Sequence, residues 1–225
     1  MKTKIYMLDK SKLQIEIPLL HSGRWEIEVP TSKSLTNRAL HLASLARGVS
    51  FIKKPLDSID TKIMREVWSS LGVIIRKESS GFRVEGCAGN LAPIQTQSLF
   101  VENAGTAARF ITAILSLSRE RFSVFGNSSM DKRPFDGLIQ SLSELGVAFG
   151  FLGEKFCTPF VTQGSPNLFT KRHVLTVSCE KSSQFLSSLL MLAPLTPAGL
   201  SFNFDKNPLS EPYIDMTLGV MKKFG

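Results

Sequence analysis

The chain repeats itself, and this repeat limits the fold more than any other feature of the sequence. Three runs end in a large apolar residue followed by glycine: TKIMREVWSSLG at Leu71-Gly72, FDGLIQSLSELG at Leu145-Gly146, and PYIDMTLGVMKKFG at Phe224-Gly225. Within them apolar residues recur at steps of three and four, the spacing of a helix that buries one face. The glycine falls where a left-handed C-terminal cap is expected. Turn-like or cap-like residues precede each run: Leu56 to Asp60, Asp131 to Pro134, and Ser210 to Pro212. About forty residues upstream of each glycine lies a second kind of helix, reading SKSLTNRALHLASLA, NAGTAARFITAILSLS and SSQFLSSLLMLAPL. Each opens on small hydroxyl or amide residues and then becomes apolar nearly all round, as an enclosed helix would.

Short β-like stretches, Ser50 to Ile52, Phe122 to Phe125 and Leu200 to Phe204, separate the paired helices. Hairpin-like segments follow the first two glycines, VIIRKESSGFRVEG and VAFGFLGEKFCTPFVTQG. The unit therefore reads helix, strand, helix, hairpin, and recurs about every 75 residues. The third copy reaches Gly225 where its hairpin would begin, which predicts a repeated α/β fold with an incomplete third unit. Residues 1–28 match no unit and read as a strand region that belongs elsewhere.

Composition narrows the function. With 43% hydrophobic and 20% charged residues the chain can bury a core without staples. Cys87, Cys157 and Cys179 lie far apart with no C-x-x-C pair, which argues against a zinc site or a disulfide framework and fits a reducing, cytoplasmic compartment. The amino terminus lacks the apolar core of a secretory signal, and the most apolar stretch, Phe185 to Leu195, is too short and serine-rich to span a bilayer. No membrane partner is expected. Twenty-seven Lys and Arg against 19 Asp and Glu give a net charge of +8, which favours anionic partners. The basic residues are scattered in pairs such as Lys53-Lys54 and Lys171-Arg172, and no zinc finger, RNA-recognition or K-homology pattern appears. Small anionic metabolites are therefore expected ahead of nucleic acid.

The starts of the three apolar helices are where such an anion would bind. The first turn of a helix carries unpaired N–H groups and partial positive charge. Lys33 and Arg38 flank the first start, Asn103, Thr106 and Arg109 lie at the second, and Ser182, Ser183 and Gln184 at the third. Gly105 would let a ligand approach the backbone. Ordinary helix capping is the alternative for any one of these residues. Asp57 and Asp60 read as caps or as partners of nearby cations. His21, His41 and His173 are isolated from each other and from any metal-ligand spacing, and read as structural.

The segment Thr31 to Arg38, TSKSLTNR, resembles the S-K-S-x-[ST]-N-R signature of the 5-enolpyruvylshikimate-3-phosphate (EPSP) synthase family, 3-phosphoshikimate 1-carboxyvinyltransferase. Further segments resemble the same family in the same order: LDSIDT, NAGTAAR, KRP (Lys132 to Pro134), SSQFLSSLLMLAPL and SEPYIDMTL. The sister family that acts on a UDP-linked N-acetylglucosamine is similar in fold but opens on an S-K-N-A-like segment, which would not explain Ser34 and Arg38. The resemblance covers nearly the whole chain but about half of the family's usual length.

It implies an enolpyruvyl transferase-like lobe of repeated βαβαββ units around parallel buried helices, one of two lobes that enclose a cleft. Residues 29–225 would form the shikimate-3-phosphate-binding lobe, and residues 1–28 a strand lent to the other. By the same resemblance Lys33 would lie beside the reacting centre, contact phosphoenolpyruvate and exchange protons. Asn103, Gly105, Thr106 and Arg133 would also serve phosphoenolpyruvate. Ser34, Arg38, Ser182, Ser183, Gln184, Ser210 and Tyr213 would bind shikimate-3-phosphate. Neither a metal nor a cofactor is implied. Departures from the family pattern include Glu102, where glycine is common, and Phe110, where proline is frequent. The family's aspartate base and its phosphoenolpyruvate-carboxylate arginines belong to the other lobe, so this chain alone is expected to be inactive and to self-associate through its exposed apolar face. A non-catalytic phosphometabolite-binding module is the competing expectation.

Overall fold

The structure, a computed structural model, describes residues 24, 26–92, 97–164, 170–204 and 210–225. Met1–Pro30 and Thr31–Gly225 form separate units. In the first, Arg24 and residues 26–30 are exposed and carry no helix or strand. The expected strand region 1–28 otherwise lies outside the described residues, as does His21. The site lies in the second unit.

Three helices form the centre of Thr31–Gly225. Helix α1 (Lys33–Leu45) buries nine of its residues from Thr36 onward, α3 (Gly105–Leu115) buries all but Thr106, and α5 (Gln184–Leu192) leaves only Gln184 and Leu190 partly exposed. Such all-round burial follows from the absence of a charged stripe in these sequences. Their partners are amphipathic. Helix α2 (Ile59–Ser70) buries Thr61, Ile63, Met64, Val67 and Trp68, and α4 (Asp136–Glu144) buries Gly137, Leu138, Ile139, Ser141 and Leu142. Helix α6 (Glu211–Met221) buries only Thr217 and Val220. The helix-ending glycines behave as the sequence predicts, with φ of +95° at Gly72 and +83° at Gly146. The following valine N–H groups return to Trp68 and Leu142 in the last turn. The predicted starts are less uniform. Ser58 caps α2 in a reciprocal capping box with Thr61, whereas neither Phe135 before α4 nor Ser210 before α6 makes a side-chain cap.

Among the described residues, three small sheets lie around the helices. In the first, β1 (Arg47–Lys53), β2 (Ile74–Glu78) and β3 (Gly81–Cys87) run antiparallel in the order β1-β3-β2, with Arg47 opposite Cys87 and Ile74 opposite Glu85. In the second, β4 (Ser98–Phe100), β5 (Arg121–Phe125), β6 (Ala148–Phe151) and β7 (Phe160–Gln163) take the order β4-β5-β7-β6, with β4 parallel to β5. In the third, β8 (His173–Val177) pairs in parallel with β9 (Leu200–Phe204). The repeat is thus preserved in space, since β1, β5 and β9 follow the three buried helices and a hairpin follows α2 and α4. Periodicity alone did not reveal β4 and β8, the strands that open units two and three. They are three and five residues long, too short for alternation to stand out.

The repeat reaches atomic detail where hairpin meets helix end. A Cβ on Gly86 would lie 2.1 Å from the Ala46 carbonyl oxygen behind α1, and one on Gly164 would lie 2.1 Å from that of Ser116 behind α3. Only glycine permits this backbone approach. The core closes over fully buried Trp68, Phe82, Phe110, Phe122, Phe135, Phe160 and Phe185. His41 sits among them, with its ring centroid 5.3 Å from those of both Trp68 and Phe110. Burial, helped by the nearby charge of Arg38, pushes its pKa down to about 3, so the ring is neutral. Asn37, His41 and Ser44 line one stripe of α1 with no hydrogen-bond partner for their buried side-chain polar atoms among the described residues.

Candidate functional site

The starts of six helices converge on one cavity of about 430 Å³, with Asp60 contributed by the first turn of α2. Helix α1 brings Lys33, Ser34 and Arg38 to it; α3 brings Gly105 and Thr106; the segment before α4 brings Arg133. Ser182, Ser183 and Gln184 enter with the start of α5, and Ser210 and Tyr213 with the start of α6. Asn103, expected beside Gly105, is exposed and does not line the cavity. Its carbonyl instead accepts the Gly105 N–H at 3.0 Å and shapes the turn into α3. The residue before it, Glu102, sits at φ +47°, a left-handed conformation that glycine adopts more readily.

Capping varies among the helix starts. Ser32 caps α1, its hydroxyl accepting the Leu35 N–H at 3.3 Å. Ala104, the residue before α3, has no side chain able to cap, and with the Gly105 N–H taken by the Asn103 carbonyl the open backbone donors lie further along the first turn. Before α5, the Ser182 hydroxyl accepts the Gln184 N–H at 3.2 Å.

Arg38 is only 1% exposed although it reaches the cavity wall. Its Nε donates to Thr217 Oγ1 at 2.7 Å and Nη1 to the Ser34 carbonyl at 3.2 Å. Nη2 donates to Ser187 Oγ and to the Tyr213 carbonyl, both at 3.2 Å. Four of its five donors therefore tie α1 to α5 and α6, leaving one Nη1 hydrogen for a ligand. Burial pushes its pKa down to about 10, so the guanidinium stays charged at neutral pH. Lys33 and Arg38, the two cations at the first helix start, sit in different environments. Lys33 is half-exposed and pairs with Asp60 at 3.3 Å.

Arg133 occupies a different setting. Its Nη1 would lie 2.8 Å from a Cβ at position 105, so the glycine makes room for the guanidinium over the start of α3. Among the described residues that guanidinium makes no hydrogen bond or ion pair. Beneath it, Arg109 is 6% exposed and donates from Nη1 to Gln184 Oε1 at 2.7 Å and from Nη2 to the Pro134 carbonyl at 2.8 Å. Gln184 Nε2 in turn donates to Thr106 Oγ1 at 3.2 Å. Arg109 thereby fixes the α5 start against the α3 start. Burial, then the charge of Arg133, lowers its pKa to about 10, while Asp136 opposes them.

Two residues that line the cavity, Asp60 and Lys181, were not among those expected to bind a ligand, and Arg109 takes a different part from the one expected. Asp60 was read only as a cap or partner. Arg109, expected as an anion-facing cation at the second helix start, does not line the cavity and instead supports Gln184 across 75 residues of sequence. Lys181, next to the Ser182-Ser183 pair, lines the cavity and drew no notice. Among the described residues, four cations against the single carboxylate of Asp60 make the cavity lining strongly positive. Among the described residues no cluster of His, Cys, Asp or Glu could hold a metal ion, and no helix is long and apolar enough to cross a membrane.

Known proteins sharpen this picture. The sequence profile of the family described as EPSP synthase (3-phosphoshikimate 1-carboxyvinyltransferase) matches residues 23–225. A 3-phosphoshikimate 1-carboxyvinyltransferase of Marinomonas sp. (strain MWYL1) is 40% identical over 210 residues, covering 92% of this chain and 48% of that protein. Another of that name from Shewanella denitrificans is 36% identical and covers 89% and 46%. Among solved structures, an EPSP synthase from Acinetobacter baumannii superposes with a TM-score of 0.69 at 22% identity, over 80% of this chain and 40% of that one. The enolpyruvyl transferase NikO from Streptomyces tendae gives 0.57 at 12%, over 84% and 42%. These two establish the enolpyruvyl transferase fold. The chain spans about half the length of the curated relatives it matches, and it belongs to the EPSP synthase family.

Proposed function

We propose that the cavity binds 3-phosphoshikimate and one side of phosphoenolpyruvate, forming part of an enolpyruvyl-transfer site. The observation that carries this reading is the convergence of Lys33, Arg133, the Ser182-Ser183 pair and the first turn of α3 on one cavity. Both substrates are multiply anionic, and helix starts with lysine and arginine supply what such ligands need.

In this reading Ser182 and Ser183 hold the 3-phosphate, and Gln184, fixed by Arg109 and Thr106, lies against the ring. Ser34, Ser210, Tyr213 and the remaining Arg38 donor close the same substrate's side. Arg133, unengaged beside Gly105, takes the phosphate of phosphoenolpyruvate. Asn103 is removed from direct contact and shapes the turn instead.

The reaction joins the 5-hydroxyl oxygen of 3-phosphoshikimate to C2 of phosphoenolpyruvate as that hydroxyl gives up its proton and C3 gains one. The tetrahedral intermediate then loses C3's proton and expels inorganic phosphate. Lys33, half-exposed and steered by Asp60, is placed to exchange those protons and to stabilise developing charge. Turnover is proposed for the longer arrangement found in the relatives, and binding for this chain.

Calorimetric titration tests the reading. Shikimate-3-phosphate should bind measurably more tightly than shikimate or inorganic phosphate, and phosphoenolpyruvate alone only weakly. Equal affinity for shikimate-3-phosphate and inorganic phosphate would reject it.

A further inference from the structure

Lys181 is the one cavity lysine to which no role has been given. It directly precedes Ser182 and Ser183, and its side chain is 60% exposed. Its Nζ donates to Asp136 Oδ2 at 2.6 Å. An ammonium has three donors, so two remain for a ligand without breaking that bond. Asp136 is the first residue of α4, where the helix start itself favours a carboxylate. The aspartate is thus a stable post, and the lysine is the movable partner.

The same arrangement occurs at the other lysine of the cavity. Lys33, at the start of buried α1, pairs with Asp60 in the first turn of amphipathic α2. Lys181, just before buried α5, pairs with Asp136 in the first turn of amphipathic α4. In both cases an acid on an outer helix restrains a long, flexible side chain at the mouth of an inner one. Restraint lowers the rotamer entropy that a free lysine would lose on binding. Arg38 cannot serve this end of the cavity in the same way, because four of its donors are already engaged.

We infer that Lys181 is a phosphate-binding residue that, held by Asp136, completes a Lys-Ser-Ser cradle at the α5 start and selects a phosphorylated ligand over its unphosphorylated counterpart. The inference rests on the proposed function for the identity of that ligand, but not for its phosphate chemistry. A phosphate monoester carries close to two negative charges at neutral pH. Ser182 and Ser183 offer neutral hydroxyls, and Lys181 adds a formal charge and charge-assisted hydrogen bonds.

The test compares the wild type, Lys181→Met and Lys181→Arg in titrations with inorganic phosphate, shikimate-3-phosphate and shikimate, each at low and high salt. Circular dichroism monitors the fold. Lys181→Met should weaken inorganic phosphate and shikimate-3-phosphate about tenfold, the scale of one charge-assisted hydrogen bond. It should leave shikimate unchanged and flatten the salt dependence, and Lys181→Arg should recover most of the loss. Unchanged phosphate affinity in Lys181→Met overturns the inference, and so does an equal loss for shikimate, which would mark a merely structural role. If Lys181→Met weakens inorganic phosphate while the wild type binds shikimate-3-phosphate no more tightly than phosphate, the cradle stands and the substrate assignment falls.

Discussion

At their amino ends the buried helices face a cavity whose wall carries Lys33, Arg38, Arg133 and Lys181. At their carboxyl ends α1 and α5 face a groove of similar size, about 450 Å³, lined by Leu42 and Leu45 of α1, Met191 and Leu195 from α5 and beyond, and Met221 and Phe224 of the α6 end. The same helices are organised by charge at one end and by apolar contact at the other. Helix polarity accounts for the first half of this contrast, because unpaired N–H donors and partial positive charge gather at the starts. At the other end none of these helices has a basic residue in its last turn, and backbone outside the helices supplies a donor instead. The Ala88 N–H, for example, reaches the Ala46 carbonyl at 3.1 Å. The proposed anion binding and the apolar contacts that stabilise the chain therefore lie at opposite ends of one bundle, and substitutions should separate them.

The largest expected effect cuts across the division. Arg38 belongs to the polar end by position but to the core by its bonds, so Arg38→Ala should cost about 3 kcal/mol of stability by orphaning a buried network. Urea denaturation checks this, and a near-normal midpoint would make Arg38 a ligand residue rather than a structural tie. Next comes the middle of α1. The pKa of His41 is lowered in the folded chain, so below its unfolded value near 6.5 the unfolded state binds more protons and stability falls with pH. The slope approaches 1.4 kcal/mol per pH unit, or about 2 kcal/mol between pH 6.5 and 5, with full stability above 6.5. His41→Leu should flatten that acid limb in unfolding curves taken at several pH values.

A smaller effect isolates the polar end. Arg133→Ala should weaken inorganic phosphate binding about tenfold and leave the thermal midpoint nearly unchanged, because its guanidinium supports no neighbour among the described residues. A large drop in the midpoint would contradict the separation. The smallest change belongs to the apolar end. Phe224→Ser should leave phosphate affinity within about 0.3 kcal/mol of wild type and lower stability by about 1 kcal/mol or less, since the ring is only partly buried. A clear loss of phosphate binding there would show that the two ends communicate.

Much of the architecture was legible because it is written in local periods. Runs such as VWSSLGV and SLSELGV specify an amphipathic helix with a glycine end, and the structure places Gly72 and Gly146 in the left-handed region. Strand β9 matches the stretch Leu200 to Phe204 residue for residue. The three-residue strand β4 escaped notice, because it is defined by its parallel neighbour β5 rather than by its own alternation. Among candidate site residues, Lys33, Arg133 and the Ser182-Ser183-Gln184 run were visible as cations and small donors at helix starts. Asn103 looked equivalent to them, yet it lies outside the cavity because the turn at Glu102 exposes it. Lys181 was hidden, and Arg109 was legible as a helix-start cation but not as a tie, for the opposite reason: their settings come from Asp136 and Gln184, which are 45 and 75 residues away.

The sequence by itself determined that three enclosed helices alternate with three one-faced ones, and that each enclosed helix starts with groups suited to an anion. Local hydrogen bonding and apolar spacing suffice for that, since both act over a few residues. Only the tertiary structure decided which cations remain open to a ligand and which are spent on the core. That choice depends on donors and acceptors brought together across the whole chain, where burial fixes Arg38 and Arg109 in place while Arg133 and Lys181 stay within reach of solvent.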